Sequence, residues 1–340
     1  MIDQLRDSYD VVVVGGGAAG LNGALMLARA LRSVVVIDAG APRNAPAEGV
    51  HGLLGREGMP PAELLERGRA EVRGYGGQVV TGEVATAARD GDGFTVALAD
   101  GRAVRAWRLL VTTGLVDVLP AIPGLRERWG RDVIHCPYCH GWEVRGRAIG
   151  VLATGPMSVH QALLFRQLSP DVTYFTHLTA GPDEEQAEQL AARDVRVVTG
   201  AVTGLDVAGD RLVGVRLADG TLVERDALAV GSRMVARAGF LDGLGLRPVE
   251  HPSGMGEHIP AVDPSGRTEV AGVWVAGNVT DLAAQVGAAA AGGALAGAMI
   301  NADLIAEETR QAVAARRDSF PNEAEARVAE LVAGDRRHGL

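Results

Sequence analysis

The chain has 340 residues, more than one hydrophobic core usually serves, so two domains are expected. It is 47% apolar and 22% charged, the balance of a soluble globular protein. Its net charge is −9 and all its basic residues are arginine, which argues against nucleic acid or an anionic membrane as partner.

The first ten residues, MIDQLRDSYD, are polar and contain no secretory core. Residues 11–14 are all valine, the continuous β-branched run of a buried parallel strand. Gly15-x-Gly17-x-x-Gly20 follows at once, then a helical stretch, then a second strand at residues 34–37 that ends in Asp38. Gly15 permits the tight turn, Gly17 lets a pyrophosphate approach the backbone, and Gly20 lets helix and strand pack closely. Asp38 stands where a carboxylate accepts hydrogen bonds from a ribose. The series strand, glycines, helix, strand, acid predicts a dinucleotide site.

Two further units share this form. Residues 149–152 read as a strand and 159–168 as a helix, joined by a short turn. Residues 273–276 read as a strand, followed by Gly277-Asn278 and a long Ala/Gly-rich helix. The most apolar part of that helix, residues 286–300, is too short and too weakly apolar to span a bilayer. The first two units are each followed by alternating segments with Asp-Gly turns at 100–101 and 219–220, a hairpin signal. The pattern is an internal repeat of a β–α–β unit plus a β-meander. A charged helical extension occupies about residues 310–340, with a break near Pro321.

Cys136 and Cys139 are the only cysteines, in the stretch His135-Cys-Pro-Tyr-Cys-His140. Zinc asks for four converging N or S ligands, and histidines adjacent to the cysteines cannot easily converge with them; no second CxxC exists, so no metal is expected. A disulfide across two residues constrains little of the unfolded chain, so a structural bridge is also disfavoured. A redox pair remains, because a CxxC disulfide exchanges easily. A cytoplasmic setting is expected, where a CxxC is more often catalytic than structural.

The order of these parts resembles the low-molecular-weight thioredoxin reductase family over about residues 8–310: GGGAAG, then LVTTG at 110–114, then CxxC, a second nucleotide-like turn, and VWVAGN. The resemblance implies an α/β fold of two Rossmann-like, three-layer ββα domains. A discontinuous FAD domain would comprise 1–117 and 246–340, with an inserted pyridine-nucleotide-like domain at 118–245. It implies that Gly15, Gly17, Ala18, Ala19, Gly20 and Asp38 hold the ADP half of FAD. Thr113 and Gly114 would pass the cofactor, with Val84 nearby. Gly277, Asn278, Gln285 and Val286 would lie by the flavin end, and Arg43, Asn44 and His51 would line the isoalloxazine. A homodimer is the expected assembly.

Three departures separate this chain from the reductases of that family. Their NADPH turn reads GxGxxA; here it is Ala153-Thr-Gly-Pro-Met-Ser158. Their basic cluster for the 2′-phosphate is missing: residues 167–192 contain no Arg or Lys, while Asp183, Glu184, Glu185 and Glu188 are present. Their second cysteine is followed by Asp, and here by His140. CPYCHGWE is similar to the dithiol oxidases of gliotoxin, holomycin and romidepsin biosynthesis. That likeness implies an FAD enzyme that closes a disulfide in a small-molecule dithiol and reduces O2. By analogy Cys136 meets the substrate and Cys139 faces the flavin. His140 suits the task of taking the substrate thiol proton, with Asp281 as a candidate orienter, and His135 is expected to be structural. The alternative is an NAD(P)H- or ferredoxin-dependent disulfide reductase.

Overall fold

The computed structural model describes residues 5–318 and 322–334. The chain opens with β1 (Ser8–Val14), α1 (Ala18–Arg29) and β2 (Val34–Asp38). Val11, Val12 and Val13 are fully buried, as the valine run predicts. Next come α2 (Pro61–Gly74), β3 (Gln78–Thr81) and a meander of β4 (Val84–Asp90), β5 (Gly93–Leu98) and β6 (Ala103–Val111). The turn at 100–101 joins β5 to β6 with Gly101 at φ +89°, a conformation glycine adopts without steric cost.

β7 (Leu115–Val118) leads away to α3 (Leu125–Arg128), β8 (Val133–Ile134), α4 (Pro137–His140), β9 (Ile149–Leu152), α5 (Ser158–Arg166), β10 (Val172–Phe175), α6 (Glu184–Ala192) and β11 (Arg196–Val198). An antiparallel meander follows, β12 (Val202–Ala208), β13 (Arg211–Leu217) and β14 (Leu222–Glu224), then β15 (Ala227–Val230) and the returning β16 (Arg233–Ala236). β17 (Val249–Glu250), β18 (Gly256–His258), β19 (Val273–Val275), α7 (Val286–Asp318) and α8 (Asn322–Gly334) complete the chain.

Two main sheets result, the first mixed and the second parallel throughout. In the first, the order is β3-β2-β1-β6-β5-β4, and β19 adds beside β6 with Trp274 in register with Leu110. In the second, the order is β11-β10-β9-β15-β8. The chain crosses between the two on β7 and β16, which pair antiparallel with Asp117 opposite Met234. Ala236, Ala238 and Leu241 already pack in one core with Val12, Phe94 and Val275. The chain therefore rejoins the first core about ten residues before the boundary at 246 that the sequence suggests, because the pairing of β16 with β7 brings it straight back.

α7 is longer than the apolar run at 286–300. Residues 286–317 are long and apolar enough to cross a membrane by length and composition. The helix packs on α1 at backbone distance: a Cβ on Gly293 would lie 1.9 Å from the Ala19 carbonyl oxygen, and one on Gly297 would lie 2.6 Å from that of Gly23. Ala296, Ile300 and Leu304 are buried there. Arg32 Nε donates to Asn301 Oδ1 (2.7 Å) and Arg108 Nε to Asp303 Oδ2 (2.6 Å), tying the next turns to the first domain. The expected break near Pro321 lies outside the described residues.

Candidate active site

The carboxyl ends of β1, β2, β6 and β19 and the N-terminus of α1 open into a cleft of about 890 Å³. Gly15 sits at φ +105°, and a Cβ there would lie 2.5 Å from the Thr112 carbonyl oxygen. A Cβ on Gly20 would lie 1.9 Å from the Gly15 oxygen, so Gly20 is a packing residue and lies outside the cleft lining. A Cβ on Gly17 meets no protein atom within 4 Å, yet Gly17 lines the cleft. Backbone is thus left bare at the N-terminus of α1, where an anionic phosphate is best held. Gly16 was not singled out from the sequence: a Cβ there would lie 2.8 Å from the Asp38 carboxylate. Only the pairing of β1 with β2 reveals that closeness.

All the other cofactor residues named from the sequence line this cleft, from Asp38 at one end to Gln285 and Val286 at the other. Asp38 also receives Arg69 Nη2 at 3.2 Å. Asn278 spends its amide NH2 on the carbonyls of Asp281 and Ala284, both at 2.9 Å, bracing the turn before α7. The bare backbone at Gly17, the ribose-side acid and the extent of the cleft fit a flavin nucleotide.

At the far end of the cleft stands α4, and on its other side lies a second cavity of about 730 Å³. Cys136 and Cys139 line both. The thiols are free in this structure. The Cys139 thiol hydrogen-bonds to Cys136, and this contact does most to lower the Cys136 pKa to about 7. The N–H groups of Tyr138 and Cys139 and the charge of Arg43 act in the same direction, against burial. The same hydrogen bond, with burial, pushes Cys139 up. Above about pH 7 these shifts favour one shared proton on the Cys139 side and thiolate character at Cys136.

His140 lines the flavin cleft but not the second cavity. Its Nε2 is buried and has no hydrogen-bond partner among the described residues, an open valence in the wall. Burial depresses its pKa, Glu143 partly offsets this, and His51 lowers it again, so the ring is neutral. Glu143 also approaches His51 Nε2 at 3.7 Å, while His51 Nδ1 meets Glu57 Oε1 at 2.6 Å. Asp281 is not the orienter: it is exposed, lines neither cavity, and its carboxylate accepts from Ala283 N–H (3.1 Å). The nearby acid is Glu143, one helical turn past the cysteines, which the sequence placed in view without assigning. His135 Nδ1 lies 3.1 Å from the Val230 carbonyl, anchoring α4 to β15, and the ring lines both cavities.

The second cavity was not foreseen from the sequence. The turn at 154–158, where the reductases carry a nucleotide loop, forms part of its wall. Ser158 Oγ accepts the backbone N–H groups of Thr154 (3.0 Å) and Gly155 (3.2 Å). Leu119, Met157, Leu164, Met234, Met255 and Leu282 supply apolar wall, and no carboxylate lines it.

A nucleotide cleft facing a dithiol, built on the parallel strands of two sheets, defines a flavin-dependent thiol/disulfide oxidoreductase. The chain belongs to the pyridine nucleotide-disulphide oxidoreductase family, which it matches over residues 9–298. Among curated proteins it is similar to thioredoxin reductase tcpT of Claviceps purpurea (strain 20.1), with 33% identity over 315 residues, 88% of this chain and 95% of that protein. Among solved structures it is similar to HlmI (TM-score 0.85, 47% identity, covering 92% of this chain and 97% of that one). It is also similar to an oxidoreductase from Agrobacterium tumefaciens (TM-score 0.81, 37% identity, 88% and 99%). The resemblance to thioredoxin reductases read from the sequence is borne out by these matches.

Proposed function

We propose that the protein is an FAD-dependent dithiol oxidase that closes a disulfide in a small-molecule dithiol and passes the electrons to O2, giving H2O2. One observation carries the reading against a reductase. The N–H groups that a nicotinamide nucleotide phosphate would need at 154–155 are taken by Ser158 Oγ, and no cation lies in residues 167–192 to meet a 2′-phosphate. The apolar cavity on the outer side of the cysteines is of a size suited to a small molecule.

In the proposed cycle the dithiol enters this cavity. One substrate thiolate attacks Cys136 of the Cys136–Cys139 disulfide, forming a mixed disulfide and releasing Cys139. The second substrate thiol gives its proton to the released Cys139 and attacks the mixed disulfide, releasing the cyclised product and Cys136 thiolate. When bound, the flavin supplies the two-electron acceptor that lets the pair close again and the donor that reduces O2. Gly17 and Asp38 would hold its ADP half. His140 takes the proton that Cys139 gives up as the disulfide re-forms. This differs from the assignment drawn from sequence, in which His140 received the substrate proton: the ring lines the flavin side alone. We further propose a cytoplasmic homodimer, a reading supported by family resemblance and by exposed Leu295, Met299 and Ile305 along α7.

The deciding experiment supplies a panel of small dithiols in air and records O2 uptake, then repeats it anaerobically with NADPH, NADH or reduced ferredoxin. Dithiol-dependent O2 consumption, with peroxide equal to the disulfide formed, supports the oxidase. Rapid stoichiometric bleaching of the flavin by a nicotinamide or by ferredoxin, without dithiol-dependent O2 uptake, assigns a reductase.

A further inference from the structure

We infer that Arg43, held by Asp117 and Ser232, is the cation that keeps the Cys136–Cys139 pair in its thiolate form. Three segments far apart in the chain meet to hold it. Arg43 lies in the loop after β2, Asp117 on the outgoing crossing strand β7, and Ser232 just before the returning strand β16. Arg43 Nε and Nη2 donate in a parallel fork to the two oxygens of Asp117, both at 2.7 Å. Asp117 Oδ1 also accepts from Ser232 Oγ (2.5 Å), and the Asp117 side chain is only 7% exposed.

A pair this buried is poorly explained as a stabilising device, because desolvation consumes most of its attraction. Its geometry explains it better. The fork uses one edge of the guanidinium and leaves Nη1 without a hydrogen bond among the described residues. Arg43 lines both cavities, as do Cys136 and Cys139, and it is the one Arg common to both linings. Its charge favours the thiolate at either cysteine, whereas Asp117 is felt at His135 and not at the sulfurs. Arg43 therefore brings a positive charge to the wall that the two thiols share, while Asp117 occupies the Nε–Nη2 edge of the guanidinium. Neither neighbouring histidine can replace it, since burial keeps His135 and His140 neutral.

Opening the disulfide leaves a thiolate in a half-buried wall. A fixed cation there lowers the cost of that charge in either direction of electron flow, so the inference does not depend on the oxidase reading. Asp117 and Ser232 are positioning residues.

The test reads the thiol itself. Reduced holoenzyme is alkylated anaerobically with iodoacetamide across pH, and the labelled cysteine is identified by peptide mass spectrometry. In Arg43→Gln the midpoint for Cys136 is expected to rise by about one pH unit, so labelling at pH 6 slows roughly tenfold. Arg43→Lys, which keeps the charge, is expected to restore most of the shift. Asp117→Asn loosens the fork that positions Arg43, and its midpoint is expected to rise, by less than that of Arg43→Gln. A folded Arg43→Gln with the native profile overturns the inference, and so does an Arg43→Lys profile matching that of Arg43→Gln. If Arg43→Gln does not fold, Asp117→Asn decides: a raised midpoint there supports the inference, and an unchanged or lowered one overturns it.

Discussion

Ser158 Oγ lies 3.0 Å from the backbone nitrogen of Thr154, inside the very turn that would hold a nucleotide phosphate. The side chain satisfies from within what a phosphate would satisfy from outside. NADPH and NADH are therefore expected to leave the flavin oxidised over minutes under anaerobic conditions. Ser158→Gly frees the two N–H groups but adds no cation, so it is expected not to create NADPH bleaching either. Stopped-flow absorbance at the flavin band checks both, and bleaching of the native protein within seconds would overturn the proposed function.

The shared proton of the cysteine pair gives a directional labelling prediction. With Cys136 lowered to about 7 and Cys139 raised, iodoacetamide is expected to label Cys136 with a midpoint near pH 7 and to leave Cys139 largely unlabelled. Preferential labelling of Cys139 would reverse the roles of the two sulfurs.

The same shift links stability to pH. The folded state depresses the Cys136 pKa from an ordinary 9.0 to about 7, so between these values the unfolded chain binds the extra proton. The contribution is fully present above about pH 9 and is lost as pH falls through 7. Denaturant titrations of reduced protein are expected to show greater stability at pH 9 than at pH 7, and that gain is expected to disappear in Cys136→Ser.

His140→Gln removes a ring nitrogen that is buried in the wall of the flavin cleft without a hydrogen-bond partner among the described residues. Removing a group that transfers a proton typically slows a reaction by about 10²–10⁴-fold. Steady-state kcat for dithiol oxidation is expected to drop within that range, with flavin content unchanged. A loss below about threefold would show that the proton leaves by another route.

Gly293→Ala is expected to disturb the α1–α7 contact, because its Cβ would lie 1.9 Å from the Ala19 carbonyl oxygen. Overpacking of this kind costs about 1–3 kcal/mol. Because Ala19 also lines the flavin cleft, reduced flavin content is expected alongside a lower melting temperature. Gly292→Ala, one residue earlier and in open space, serves as control and is expected to match the native protein.

Local chemistry made the fold and the nucleotide cleft legible. The valines at 11–14, the glycine spacing from Gly15 to Gly20 and the acid at Asp38 all act within one β–α–β unit. Such signals survive in one dimension because neighbours in sequence are neighbours in space. The Asp-Gly turns at 101 and 220 are local in the same way, and both fall at φ near +90°. What failed to show was long-range. Arg43 and Asp117 are 74 residues apart and Ser232 is a further 115 away. Asp281 looked suited to orient a histidine, but its loop turns the carboxylate onto Ala283, and Glu143 stands beside His140 instead.

By itself the sequence determined the β–α–β architecture, the nucleotide cleft, the CxxC pair and the absence of Arg and Lys from residues 167–192. Each of these depends on residue type and short spacing, which fix backbone conformation and chemical capacity. Only the tertiary structure decided which wall each side chain occupies. The crossing strands β7 and β16 set α4 between two cavities, leaving His140 on the flavin side and the cysteines and Arg43 on both sides. Sidedness of this kind arises from packing between segments more than a hundred residues apart, because close packing leaves each side chain one direction in which to point.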